Sequence, residues 1–480
     1  MKKVLLVNLP YVVKDIDANR PKLRSFFAFP YGLLSMASYI KPLADVEIID
    51  CDAEINPYAK VLHKLIIFQP DIVGFSMMFD NSYPWLKNFL GLVKRQNPQV
   101  LTLLGGAAAS YSYQEILDEN PNLDAICYSE GELPMAHLLE NGDFDAPAWI
   151  TRESLRNGVA PKLWYISNLD NVIDIDYSLV DCNKYDMKEA FSPFTRNEKH
   201  KQFFVVTSRG CPYSCRFCSN GRIHGKKMRM ASVDAVVEHV RMLVDKHGMN
   251  VLTIYDDQLL INMDRAKQLF RRLREFDIRI ECPNGLSVRY IDAEMAELMR
   301  EAGMDTAYLA IESGSEYVLT ELINKPLKLS QVKPAVGFLR DNDFFIHGFF
   351  VMGMPGETAQ HRMETMKFVE DIDLDWCGFN MATPVRGSQL YDDCITNGWI
   401  EKQKLEDIVD KKYIIHMPGT DPAAIEAEVY SMNLAVNFHN NRRMRIGDYG
   451  VAARCFEEVL SRYSGHFWAQ YYLQKCKGGV

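Results

Sequence analysis

The sequence predicts an α/β protein made of two successive arrays of parallel βα units and a mostly helical tail. Three observations predict it. Over residues 1 to about 145, short β-rich runs alternate with amphipathic helical stretches. After an irregular polar stretch over 146–200, the alternation resumes with a different rhythm over 201–400. Residues 401–480 then read as helical. Near-continuous apolar runs of four to eight residues are what strands buried on both faces of a parallel sheet require.

In the first array, strands are expected over residues 4–7, 46–49, 71–75, 100–104 and 125–128. Between them, Val61, Leu62, Leu65 and Ile66 mark one helix face, and Trp85, Leu86, Phe89, Leu92 and Val93 mark another. Five strands with helical crossovers form a doubly wound, Rossmann-like sheet, in which ligands bind beyond the carboxyl ends of the strands. In the second array, strands are expected over 203–207, 251–255, 280–282, 306–311, 345–352 and 376–380. A helix bearing Val236, Val240, Leu243 and Val244 ends near Gly248, the next carries Ala266, Leu269, Phe270 and Leu273, and a third is capped by Asp292. About six βα units are too few for a closed eight-stranded barrel, so a partial barrel is expected. In the tail, the stretch over 447–460 resembles one unit of a tetratricopeptide helix pair; a lone unit cannot bury its own face, so it should pack on the barrel.

A chain of 480 residues has room for two to four domains, and 48% hydrophobic with 24% charged residues is ordinary for a soluble protein. A net charge of −9 disfavours a general nucleic-acid binder. Eleven cysteines without regular disulfide spacing suit a reducing compartment, so a cytoplasmic protein is expected. The first apolar run is broken at Asn8 and Pro10 and is followed by Lys14, Asp15 and Asp17, which suits a buried strand better than a signal peptide. No apolar stretch is long enough to span a bilayer; residues 344–354 are too few and include His347.

The chemistry is concentrated in Cys211, Cys215 and Cys218, spaced CxxxCxxC. A cubane iron–sulfur cluster normally takes four thiolates, one per iron, so three in one loop leave one iron open to a small molecule. A zinc site from these cysteines and His224 is the plainer alternative, although structural zinc sites favour paired CxxC or HxxxH spacings. An electron carrier or sensor would need a fourth thiolate, with Cys182 and Cys282 as candidates.

The motif, with Phe217 just before its last cysteine, resembles the signature of radical S-adenosylmethionine (SAM) enzymes, and Cys211 follows the first strand of its array as in that family's open six-stranded barrel. The resemblance implies a 4Fe–4S cluster on Cys211, Cys215 and Cys218, with SAM on the open iron and Phe217 near the adenine. It further implies SAM contacts at successive strand ends: Asp256 and Asp257, Asn284 and Arg289, Glu312 and Ser313, then Gly353 and Gly356. Thr383-Pro-Val-Arg-Gly-Ser388 resembles a further turn near that pocket.

The first array resembles the cobalamin-binding domain that precedes the barrel in one large class of these enzymes. Matches fall at Tyr31 and Gly32, at Ser76, at Gly105 and Gly106, and at Ser129, Gly131 and Glu132. Asn8 and Pro10 stand where many cobalamin proteins begin a DxHxxG loop whose His ligates cobalt; no His is present there. A weakly ligated lower face would favour the cob(I)alamin nucleophile. A domain kept as a scaffold without cofactor is the competing reading. His63 and His137 fall in expected helices, as surface or packing residues.

The resemblance implies a cobalamin-dependent radical SAM methyltransferase acting on an unactivated carbon of a small molecule, through a 5'-deoxyadenosyl radical and methylcobalamin. A flavodoxin or ferredoxin would supply electrons. A cyclase, ring-contracting or heteroatom-exchange enzyme with the same cofactors is the alternative. The loop over 11–29, the connector and the C-terminal helices are expected to wall the substrate chamber.

Overall fold

The computed structural model describes residues 1–11, 28–185, 194, 200–402 and 413–478. Most of the loop expected over 11–29, and the end of the connector, lie outside the described residues.

The first domain is a sheet of six strands: β1 (Lys2–Asn8), β2 (Ala44–Asp50), β3 (Ile72–Ser76), β4 (Leu101–Gly105), β5 (Ala125–Cys127) and β6 (Trp149–Ile150). Their order is β2-β1-β3-β4-β5-β6, parallel except for β6. Val4, Leu5, Leu6 and Val7 are fully buried, which is why β1 reads as an unbroken apolar run. The chain leaves β1 first towards β2 and later returns on its other side with β3, so a switch point opens between β1 and β3. The sixth strand is a departure from the sequence reading, which ended this domain at 145. A two-residue strand carries no readable period. The connector is also less polar than expected: Ile166, Leu169, Val172, Ile173, Ile175 and Tyr177 are buried in the core shared with the barrel.

The second domain begins with β7 (Gln202–Val205). Two short antiparallel strands follow, β8 (Ser208–Arg209) and β9 (Arg229–Met230), and they bracket the three cysteines. Then come β10 (Val251–Ile254), β11 (Arg279–Glu281), β12 (Thr306–Glu312), β13 (Phe345–Met352) and β14 (Trp376–Met381). Strands β7, β10 and β11 form one parallel sheet, and β12, β13 and β14 form another. A single parallel bridge, Leu286 to Leu309, joins them into the expected six-stranded open barrel. The helix Val233–His247 is capped by the Ser232 side chain and ends at Gly248, whose φ of +65° suits glycine. Asp292 caps the helix Ala293–Glu301, as its position suggested.

The C-terminal helices Tyr449–Arg462 and Phe467–Cys476 pair as expected and bury Phe456, Ala452 and Ala469 against Phe438 and Trp376. Val451 and Cys455 pack on Phe345. Phe345 and Trp376 are the first residues of β13 and β14, so this pair covers the amino end of the barrel. It therefore does not wall a chamber at the carboxyl ends of the strands, where the cysteines lie. No helix among the described residues is long and apolar enough to cross a membrane.

Candidate functional site

The loop between β8 and β9 is held by backbone geometry. Gly210, at φ +96°, is the hinge: a Cβ there would lie 2.4 Å from the Lys227 carbonyl oxygen. The Cys211 amide donates to Gly225 O at 3.1 Å. Arg216 N donates to Ile323 O at 2.8 Å, and Leu390 N donates to Arg216 O at 2.8 Å, so the loop is tied to the segments after β12 and β14.

Cys211, Cys215 and Cys218 line one cavity of about 860 Å³ at the carboxyl ends of the barrel strands. Burial pushes all three thiols up, Cys215 to about 12, while the nearby Lys325 cation pulls each of them down. Bound cationic iron would hold them as thiolates. Among the described residues no three His, Cys, Asp or Glu side chains converge on a single ion. A cubane takes one thiolate per iron, and three cysteines from one loop lining one cavity suit it. His224 is engaged elsewhere, its Nδ1 lying 2.9 Å from Glu130 Oε1. Cys182 and Cys282 do not line the cavity; Cys282 is buried after β11 and Cys182 points its Sγ at Tyr177 O. The residues present thus fit a three-thiolate cluster.

Phe217, Asp257, Asn284, Arg289 and Glu312 line the same cavity. Glu312 closes β12 at φ +73°, just past an irregularity in its pairing with β13. A left-handed backbone is uncommon for a non-glycine residue. Its carboxylate meets Lys325 Nζ at 2.8 Å, both side chains largely buried. This is a polar wall with acceptors and donors for a zwitterionic amino acid and a ribose, as SAM requires. Lys325, Ser287, Gln258 and Gln389 belong to it and had no sequence signal, because each sits in an irregular turn or at an element's edge.

Four expected SAM contacts lie behind this wall. Asp256 is buried and accepts from Thr207 N and Oγ1 at 2.6 Å each and from Ser208 Oγ at 2.7 Å, so it pins the exit of β7. Ser313 is fully buried beside Thr365. Gly353 packs under Tyr413, which donates to its carbonyl at 2.6 Å. Gly356 faces Leu322. Strand-end placement alone does not say which neighbour of a pair turns inward.

A second cavity, of about 460 Å³, runs from the carboxyl edge of the first sheet into the slot under its helices. Leu6, Gly74, Leu103 and Cys127 supply the sheet side; Leu33, Met36 and Met135 supply the helix side. Tyr31, Gly32, Ser76, Gly105, Gly106, Ser129, Gly131 and Glu132, the residues matched to the cobalamin-binding domain, all line it. A Cβ added at Gly32 would meet nothing within 4 Å, and one at Gly131 would strike Met36 Sδ at 2.7 Å. An apolar slot with glycine walls fits a bulky planar cofactor with a nucleotide tail. Asn8 and Pro10 do not line it: Asn8 turns to Asp50 Oδ1 at 2.9 Å. Ser129 and Glu132 are also committed, Ser129 Oγ to Ile223 O and Glu132 to Arg209. His63 is exposed and His137 bonds Asp143, so neither faces this slot.

Asn220 and Asp257 line both cavities. Burial pushes the Asp257 carboxyl up, while His224 and hydrogen bonds from Asn220 and the Gly210 amide pull it down. This pair is the partition between the two compartments.

An open parallel barrel with three cysteines after its first strand, set against a doubly wound domain with an apolar slot, is the arrangement of an enzyme that holds cofactors in two adjoining compartments. Residues 205–369 match the radical SAM superfamily, and residues 24–139 match the B12 binding domain. The chain is 32% identical over 387 residues to cytidylyl-2-hydroxyethylphosphonate methyltransferase of Streptomyces wedmorensis, covering 73% of this chain and 72% of that one. It is 26% identical over 414 residues to the anaerobic magnesium-protoporphyrin IX monomethyl ester cyclase of Rubrivivax gelatinosus, covering 83% and 70%. In fold it is similar to the radical SAM methyltransferase TsrM from Kitasatospora setae, solved with cobalamin and a 4Fe–4S cluster, with a TM-score of 0.64, 15% identity and coverage of 83% and 75%. The chain belongs to the cobalamin-dependent radical SAM enzymes. Its cofactors are a 4Fe–4S cluster, SAM and cobalamin.

Proposed function

We propose that this enzyme methylates a carbon of a small molecule, taking the methyl group from cobalamin and using SAM both to create the substrate radical and to recharge the carrier. The observation that carries this reading is the shared boundary: Asn220 and Asp257 line both cavities, so a substrate held beside them lies next to both compartments. When bound, the cluster supplies reductive cleavage of the SAM sulfonium, and cobalamin supplies a transferable methyl.

The chain's own residues hold and exclude. Cys211, Cys215 and Cys218 would hold the cluster, Glu312 and Lys325 fix a charged wall, and Asp257 with Asn220 lines the boundary shared by the two compartments. Asp256 acts through Thr207 and Ser208, stiffening the strand end that leads into the cysteine loop. An electron donor such as flavodoxin or ferredoxin suits the basic residues Arg216, Arg222, Lys226 and Arg289 on the cluster cavity. A cytoplasmic site of action accords with eleven free cysteines.

The test is a product count. Each methylation should consume two SAM and two electrons, and release one 5'-deoxyadenosine, one methionine and one S-adenosylhomocysteine. Equal yields of deoxyadenosine and S-adenosylhomocysteine in anaerobic turnover with the reconstituted enzyme are expected. Deoxyadenosine without S-adenosylhomocysteine would defeat methyl transfer and favour a cyclase-type reaction, to which the similarity with the Rubrivivax gelatinosus cyclase lends weight.

A further inference from the structure

We propose that a buried charge lock between the two domains sets the separation and orientation of the two cofactors. This rests on both cofactors being held, not on which group is transferred.

Arg209 and Arg229 face each other across β8 and β9, and Arg209 stands two residues before Cys211. Both guanidinium groups reach into the loop after β5. Arg209 Nη1 donates to Glu130 Oε2 at 2.8 Å, and its Nη2 donates to Glu132 Oε1 at 2.9 Å and Ser35 Oγ at 3.1 Å. Arg229 grips both oxygens of Glu130, donates to Ile166 O at 2.8 Å, and lies 3.7 Å over the Tyr165 ring. His224 Nδ1 completes the shell of Glu130. Exposure is 8% for Arg209, 3% for Arg229, 6% for Glu130 and 4% for Glu132. Burial alone would raise the Glu130 carboxyl; Arg229, His224 and Arg209 overcome it and hold it far below the usual range.

The arrangement is a poor way to add stability, because buried ion pairs roughly break even against apolar contacts. It is a good way to fix geometry. A guanidinium fork facing a carboxylate specifies distance and plane together, which an apolar contact does not. The two ends of the lock are also the two cofactor walls. Glu130 and Glu132 line the cobalamin slot, and the strand carrying Arg209 runs directly into the cluster loop. Any rotation of one domain on the other strands a buried charge.

Arg229 lines neither cavity, so it is the handle for the test. Arg229→Lys keeps the charge and loses the fork, and Arg229→Gln loses the charge as well; Arg209 is left intact because it lines the cobalamin slot. Iron and cobalamin content are measured first. The magnetic interaction between cob(II)alamin and the reduced cluster is then read by electron paramagnetic resonance, together with S-adenosylhomocysteine per deoxyadenosine. Both variants should hold both cofactors at wild-type stoichiometry and show an altered interaction. The product ratio should fall roughly tenfold or more, since about 1 Å of misplacement can cost ~100-fold. An unchanged interaction in the two variants overturns the proposal. So does loss of either cofactor from both, which would make Arg229 a binding element. If wild-type enzyme yields no S-adenosylhomocysteine, the methyl-transfer reading has failed, and the magnetic readout still decides the lock.

Discussion

Replacing Cys215 by alanine is expected to remove the cluster and abolish SAM cleavage while leaving cobalamin bound. The same holds for Cys211 and Cys218. The three thiols share one cavity, and the cobalamin slot lies on the other side of Asn220 and Asp257, so the two losses should separate. Iron per chain, the visible spectrum and deoxyadenosine yield check this. Deoxyadenosine should fall to background in each variant, because no cluster remains to cleave the SAM sulfonium reductively. The contrasting pair is Cys182→Ala and Cys282→Ala. Neither residue lines the cavity, so iron content should stay at the wild-type level in both. Iron loss from either would restore the reading of a fully ligated electron-transfer cluster.

The second large effect is expected from filling the slot. Gly105 lines it at the end of β4, and a Cβ there would make an ordinary 3.8 Å contact with Cys127 without a positive φ. Gly105→Leu should therefore fold and place its bulk in the cofactor's space. Overpacking costs about 1–3 kcal/mol, so cobalamin affinity should drop roughly ten- to hundredfold. The cluster should persist, deoxyadenosine should still form, and S-adenosylhomocysteine should fall in proportion to cobalamin occupancy when cobalamin is limiting. Gly106 is the wrong probe: its Cβ would lie 2.4 Å from Met77 O at φ +102°, so substitution would strain the strand end itself. Cobalamin retained at wild-type affinity by Gly105→Leu would place the cofactor elsewhere.

Much of this was legible because parallel α/β folds write themselves locally. Buried strands such as β1 hold a continuous apolar run from Val4 to Val7, and crossover helices mark their ends at Gly248 and Asp292. The thiolate triad was legible because three ligands on one loop leave a fixed spacing. What the sequence hid is what depends on facing. Asp256 and Asp257 are neighbours, yet one pins Thr207 and the other lines both cavities. Ser129 and Glu132 lie in the slot as expected, but their polar atoms are held by the barrel, a pairing across 94 and 77 residues that no local pattern encodes. Lys325 was missed because a single lysine in a turn has no periodicity. The antiparallel β6 was missed because two residues cannot alternate.

The central claim is that three protein thiolates leave one iron for SAM. Pulsed electron–nuclear double resonance on the reduced, reconstituted enzyme with SAM isotopically labelled at its amino nitrogen tests it directly. A hyperfine coupling from that nitrogen, of the size a directly ligated atom gives, is the predicted result. No such coupling, with a fourth cysteine thiolate on the cluster instead, would contradict the account.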